Sequence, residues 1–282
     1  MQLIHTAADL DVALAAARTN GQTIAFVPTM GALHDGHLSL AKIAREEADI
    51  VVVSIFVNPK QFGAGEDFDK YPRTLDADVA TLGDYADIVF APAVEDIYPA
   101  DLVVEEQHAG PVGTAFEGAA RPGHFDGMLT VVARLFDLVQ PDVAIFGQKD
   151  AQQLFLVQQL VAAKYPDLEI IGAPIIREAS GLAMSSRNRY LSPEDARLAN
   201  VLNRTLRTAG AELEAGAAPS AVLQAHLEQL ATDAPQAKLD YLQLVSAKDF
   251  EPVSDDFHGT AILLIAAKIG QTRLIDNLEV LI

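Results

Sequence analysis

Thr23-Ile-Ala-Phe-Val-Pro-Thr-Met-Gly-Ala-Leu-His34-Asp-Gly-His37 is the stretch whose reading decides the fold. Residues 23–27 are apolar and β-branched, the composition of a strand buried on both faces of a parallel sheet. Residues 38–47 carry Leu38, Ala41 and Arg45 at helical spacing. Between these runs lies a turn with two glycines and two histidines. A strand, a glycine-bearing turn and a helix N-terminus make an anion site, because free backbone N–H groups and the helix dipole point at the ligand. Gly31 lets the backbone approach a phosphate, and Gly36 removes a side chain between the histidines. His34 and His37, at i and i+3, face the same way from one helical turn. The pair also reads as half of a zinc site or as surface decoration. The chain has no cysteine and no third ligand nearby, which disfavours zinc.

The 282 residues suit one large domain or two modest ones. Half are hydrophobic and 21% are charged, as in an ordinary globular protein. A formal net charge of −19 argues against nucleic acid as a partner, since a phosphate backbone needs a basic face. The absence of cysteine excludes disulfides and thiolate nucleophiles. No run approaches the roughly twenty apolar residues of a membrane span. The N-terminus shows no basic region followed by an apolar core, so a cytoplasmic protein without membrane contact is expected.

Residues 6–18 read as an opening helix, with Thr6 as N-cap and Asn20-Gly21 as its stop. Residues 49–57 form a second buried strand ending at Asn58-Pro59. The polar, glycine-rich segment 58–73 then stands at the carboxyl end of a parallel strand, where open α/β sheets bind ligands. Asn58 and Gln61 bring amides suited to hydroxyls and a carboxylate, although a plain surface loop has the same composition. Residues 75–83 form a helix and 86–91 a third strand. Asp76 and Asp78 open that helix, where negative charge is favourable in itself, and Asp78 as a Mg2+ ligand is the second reading. Residues 98–127 are irregular, and Arg121 reads as a substrate-facing cation or a surface residue.

Residues 128–139 make an amphipathic helix and 141–146 a fourth strand. Gly147-Gln-Lys-Asp150 is a second junction from strand to helix, in which Lys149 offers a compact charge to phosphate and Asp150 reads equally as a cap. Gln152 and Gln153 stand in the first turn of the following helix, toward the crevice, and 169–176 is a fifth strand. This alternation predicts an α/β fold with a Rossmann-like, doubly wound parallel sheet over residues 1–176. Right-handed crossovers gather the loops after the first, second and fourth strands at one edge, bringing the histidines, Gln61 and Lys149 together. Residues 177–282 read as a smaller α+β domain, with helices from Ser192-Pro193-Glu194 to about 233 and strands at 239–245, 261–267 and 273–278. Met184-Ser-Ser-Arg187 has the composition of a mobile loop that brings hydroxyls and a guanidinium to a polyphosphate.

Four stretches, PTMGALHDGH, SIFVNPKQFG, FGQKDAQQ and MSSRN, fall in that order between residues 28 and 189. Together they resemble the pantothenate synthetase (pantoate–β-alanine ligase) family of the His-x-Gly-His nucleotidyltransferases. MSSR resembles the family's counterpart of the synthetases' Lys-Met-Ser-Lys-Ser loop, and Gln148 stands where many relatives carry glutamate. The resemblance implies condensation of pantoate with β-alanine, driven by ATP through a pantoyl-adenylate, with Mg2+. It further implies a homodimer and a C-terminal domain that acts as a lid. It makes His37, His34, Lys149 and Arg187 catalytic, with His37 the proton donor. Contacts to ATP fall to Met30, Gly31, Ala32, Leu33, His34, Asp35, Gly36 and His37 in the first turn. Gly147, Gln148, Lys149 and Asp150 supply them in the second, with Ile176, Met184, Ser185, Ser186 and Arg187 beyond. Gln61 and Gln153 hold pantoate and β-alanine, with Asn58 and Arg121 beside them, and Asp78 is the metal candidate.

Two other functions suit the same fold. A transferase acting on a phosphorylated acceptor would place Arg or Lys where Gln61 and Gln153 stand. An ATP-binding sensor would bind the nucleotide without releasing pyrophosphate.

Overall fold

The computed structural model describes residues 1–63, 65–66 and 68–282; Ala64 and Asp67, inside the polar segment at 58–73, lie outside the described residues. The chain divides into two compact units, Met1–Gln148 with Gln152–Pro174, and Lys149–Ala151 with Ile175–Ile282.

The first unit opens with β1 (Gln2–Ile4), α1 (Ala7–Thr19), β2 (Ile24–Thr29), α2 (Asp35–Glu47), β3 (Ile50–Ile55), α3 (Leu75–Leu82) and β4 (Ile88–Phe90). It continues through the short helices α4 (Val94–Ile97) and α5 (Glu117–Ala120), then α6 (His124–Val139), β5 (Val143–Gly147), α7 (Ala151–Lys164) and β6 (Glu169–Ala173). The six strands form one sheet in the order β1-β4-β3-β2-β5-β6, and every pairing is parallel. From β2 the chain winds outward through β3 and β4, then crosses back to β5 and β6. This reversal puts a topological switch point between β2 and β5, the place where such sheets bind ligands.

Both faces of β2 are covered, which is why it reads as a continuous apolar run rather than an alternating one. Ala25 and Val27 pack with Val51, Val53 and Ile145 against Leu40, Ala41 and Ala44 of α2. Phe26 points to the other face and meets Phe136 of α6 edge to face, with ring centroids 6.2 Å apart. Three findings differ from the sequence expectation. β1 adds a sixth strand, paired to β4 from Gln2 opposite Ile88 to Ile4 opposite Phe90. α2 starts at Asp35 because His34 itself serves as its N-cap. α6 starts at His124, directly after Gly123 at φ 79°.

The second unit carries α8 (Pro193–Glu214), α9 (Pro219–Asp233) and an antiparallel sheet of β7 (Lys238–Ser246), β8 (Thr260–Ile269) and β9 (Thr272–Leu281). Ser192 caps α8 by accepting from the Asp195 N–H at 3.0 Å, and Pro193 takes the first helical position, which has no N–H to satisfy. Leu202, Leu206, Ala209 and Leu213 of α8 then bury their face with Leu244, Leu263 and Ile265 of the sheet. The Met184–Arg187 segment, expected as a mobile loop, runs into a short 3-10 helix over Ser186–Tyr190 that Ser185 caps. No helix among the described residues is long and apolar enough to cross a membrane.

Candidate active site

Because its sheet is wholly parallel, the first unit sets the carboxyl ends of β2, β3 and β5 at one edge. The turn after β2 is held by Asp78, which is 2% exposed and comes from the first turn of α3. Its Oδ2 accepts from the Ala32 N–H at 3.0 Å and its Oδ1 from the Leu33 N–H at 2.8 Å. The Thr74 hydroxyl lies 3.2 Å from both oxygens. These bonds and the N-terminal end of α3 compensate a buried negative charge. Gly31 has φ +81°, and a Cβ there would stand 3.0 Å from both Asp78 Oδ2 and Ile55 Cγ2. Ala32 follows at φ 52°, a conformation that costs a residue with a Cβ about 1–2 kcal/mol and that the Asp78 clamp maintains.

His34 and His37 stand at the start of α2. A backbone N–H can only donate, so the 3.1 Å bond from the Gly36 N–H makes His34 Nδ1 an acceptor. That fixes the His34 ring over the first turn of α2. The His37 ring lies against it, with centroids 4.1 Å apart at 37°.

The turn after β3 presents Gln61. Asn58 is 1% exposed and is bonded through both ends of its amide. Its Nδ2 donates to Gln61 Oε1 at 3.1 Å and to Gly127 O at 3.0 Å. Its Oδ1 accepts from the Lys60 N–H at 3.2 Å and from the Tyr98 hydroxyl at 2.9 Å. Burial keeps that phenol protonated, well above its usual range. The Asn58 amide is thereby saturated, which corrects the expectation that it contacts substrate. It occupies Gln61 Oε1 and leaves the Gln61 Nε2 group 3.1 Å from Met30 Sδ, so the turns after β2 and β3 adjoin.

Arg121 also departs from expectation. It grips Glu66 through Nε at 2.8 Å and Nη2 at 2.7 Å, donates from Nη1 to His124 Nε2 at 2.9 Å, and reaches Gln61 O from Nη2 at 3.4 Å. Four of its five donors serve the protein, so it is a support for Gln61 rather than a substrate-facing cation. The guanidinium holds the Glu66 carboxyl below its usual range. Since Arg121 donates to His124 Nε2, His124 Nδ1 carries the ring's proton and donates to Gln61 O at 2.8 Å. Gln152 is likewise internal: it is 4% exposed, accepts from the Glu117 N–H, and donates to Val112 O and Ala115 O. Gln153 is half-buried.

Lys149 belongs to the second unit, where its ammonium stands 3.8 Å from Asp150 Oδ1 and its side chain is 21% exposed. There, Ile176 O accepts from the Met184 N–H at 2.9 Å and Arg177 pairs with Ala183, closing a hairpin that leads into Ser186 and Arg187. Ser185 Oγ accepts from the Arg187 N–H at 3.3 Å.

Among the described residues no group of three or more His, Cys, Asp or Glu side chains is arranged to hold a metal. Asp78, whose second reading in the sequence was a Mg2+ ligand, turns both oxygens to two amides and a hydroxyl, the first reading of a charge favoured at a helix start. Asp78→Asn should cost about 1–3 kcal/mol by leaving one of those amides without an acceptor, read from urea unfolding. The Mg2+ concentration giving half-maximal rate should not move. A changed Mg2+ requirement at full stability would return Asp78 to the metal.

The whole chain has close relatives. A family model described as Pantoate-beta-alanine ligase matches residues 2–279. Pantothenate synthetase from Leifsonia xyli subsp. xyli is 51% identical over 276 residues, covering 98% of this chain and 95% of that protein. The pantothenate synthetase of Pelotomaculum thermopropionicum is 46% identical over 278 residues, 98% of each chain. Among solved structures, pantothenate synthetase from Thermus thermophilus superposes with a TM-score of 0.93 at 45% identity over 100% of both chains. The pantoate-beta-alanine ligase of Francisella tularensis, complexed with beta-gamma ATP and beta-alanine, gives a TM-score of 0.80 at 36% identity over 99% of this chain and 97% of that one.

Proposed function

The chain belongs to the pantoate-beta-alanine ligase family, and from that premise we propose how its residues divide the reaction. The activity joins the pantoate carboxyl to the β-alanine amine and cleaves ATP to AMP and pyrophosphate. In the first step a pantoate carboxylate oxygen attacks the α-phosphorus, and pyrophosphate leaves with the bonding pair. In the second the amine attacks the acyl carbon, AMP leaves, and the amine's proton goes to solvent. No covalent enzyme intermediate is needed, so catalysis is positioning and stabilisation of charge on phosphoryl oxygens.

The observation that carries this reading is the His34 cap. It fixes the His34 ring at the N-terminus of α2, against the ring of His37, and His37 acts as proton donor to the triphosphate. Lys149, Ser186 and Arg187 supply further charge and hydrogen bonds to the phosphates, while backbone at Gly147 and Ile176 meets the nucleotide. Gln61, its amide oriented by Asn58, and Gln153 hold pantoate. The second unit serves as a lid that keeps water from the acyl-adenylate. Mg2+ would neutralise charge on the phosphates of ATP, and among the described residues no cluster of three or more His, Cys, Asp or Glu side chains would hold it apart from the nucleotide. The family resemblance supports a homodimer working in the cytoplasm.

Pyrophosphate and AMP release from ATP and pantoate tests the reading. With pantoate alone, pyrophosphate should stop at about one per site, as for a trapped first-step intermediate. Adding β-alanine should start continuous AMP release. No pyrophosphate under either condition would overturn the reading in favour of a sensor or a transferase with another acceptor.

A further inference from the structure

β9 contains a buried pair, Asp276 and Asn277, at 4% and 6% exposure, that no motif in the chain announces. Asn277 Nδ2 donates to the backbone carbonyl of Lys149 at 2.8 Å, across 128 residues of sequence. Asp276 accepts a two-pronged bond from Arg177, Nη1 to Oδ2 at 2.7 Å and Nη2 to Oδ1 at 3.0 Å. Its Oδ1 also accepts from the Asn277 N–H at 2.8 Å, so the carboxylate holds its neighbour's backbone as well. Arg177 in turn donates to Gly181 O at 3.2 Å, inside the hairpin that leads to Ser186 and Arg187.

We propose that Asn277 is a positioning residue for Lys149, and that the Asp276–Asn277 pair sets Lys149 and the 184–187 segment in one fixed relation. Adjacent residues of a sheet-paired strand cannot move independently, so the two groups of phosphate-binding residues share one support. Lys149–Ala151 accordingly groups with the second unit, although it lies between β5 and α7 in the chain. A strand far from the motifs thereby governs adenylate formation. The inference rests on the assignment of Lys149 to the triphosphate.

The test is Asn277→Leu, close in size but without the donor, made both alone and in a Lys149→Ala background. Single-turnover pyrophosphate release is the readout. Asn277→Leu alone should slow it by about 10–100-fold, the scale of loss from misplacing a reacting group by an ångström or less. In the Lys149→Ala background the same change should cost less than about twofold, because residues acting through one group are not additive. Equal losses in both backgrounds, or a normal rate for Asn277→Leu, would overturn the proposal. If Asn277→Leu fails to fold, Asn277→Asp removes the same donor and is read by the same two comparisons. A normal rate for Lys149→Ala by itself would instead reject the assignment of Lys149.

Discussion

Lys149→Ala should slow pyrophosphate formation by about 10²–10³-fold, the usual cost of removing one group aimed at developing phosphoryl or oxyanion charge. The fold should survive. The ammonium pairs with Asp150 at 3.8 Å, and the Asp150 side chain is 49% exposed. Such pairs contribute about 0–1 kcal/mol, so the unfolding midpoint in urea should barely shift. Lys149→Arg should restore little, since a planar fork on a longer stem does not put a compact charge at the same point. On the proposed assignment the loss should fall on the rate of the first step more than on the Michaelis constant for ATP, because charge on the phosphates grows as pyrophosphate departs. A first-step rate within about threefold of the parent would remove Lys149 from the triphosphate and leave His34, His37 and Arg187 to account for its charge.

Much of the first unit was legible because burial on both sheet faces writes itself as unbroken apolar runs. Residues 23–27, 49–57 and 141–146 correspond to β2, β3 and β5 for that reason. β1 escaped, since three residues hold no periodicity and its place depends on pairing with β4. α2 begins three residues before its apolar spacing does because histidine is an unusual cap, although the glycine spacing marks the turn. The second unit's sheet was legible in outline through its apolar strands. The support it gives Lys149 was not, because the bond from Asn277 joins positions with no local pattern in common.

The polar residues of the site divide more sharply. Gln61 and Asn58 look alike in sequence, but tertiary partners decide which one has a group left for a ligand. Tyr98 and Gly127 saturate Asn58, and both come from distant elements. Arg121 is matched to Glu66 across 55 residues, so neither its charge nor its place near Gly123 revealed that it supports Gln61 from behind. Asp78 was read correctly as favourable at a helix N-terminus. Its bonds, however, run to the turn after β2, 45 and 46 residues earlier, and that contact is what gives Gly31 its role.

Gly127→Ala should impair pantoate handling more severely than a one-methyl change suggests. A Cβ at Gly127 would stand 2.1 Å from Lys60 O, 2.5 Å from Lys60 C and 2.9 Å from Gln61 N. All three are backbone atoms of the turn that presents Gln61, so no rotamer relieves the clash. The turn is also bonded to α6 on either side of the intrusion, by Asn58 to Gly127 O and by His124 to Gln61 O. The added methyl must therefore either break those bonds or push the turn and helix apart by most of an ångström. Overpacking of this kind costs about 1–3 kcal/mol and sometimes more, visible as a lower urea midpoint. The displaced Gln61 amide should lower the first-step rate by about 10²-fold and raise the pantoate Michaelis constant. ATP affinity should change far less, because the His34–His37 turn is clamped separately by Asp78. Normal pantoate kinetics in Gly127→Ala would mean that the placement of Gln61 does not govern substrate binding. Equal losses for ATP and pantoate would mean that the whole sheet edge, rather than this one turn, had moved.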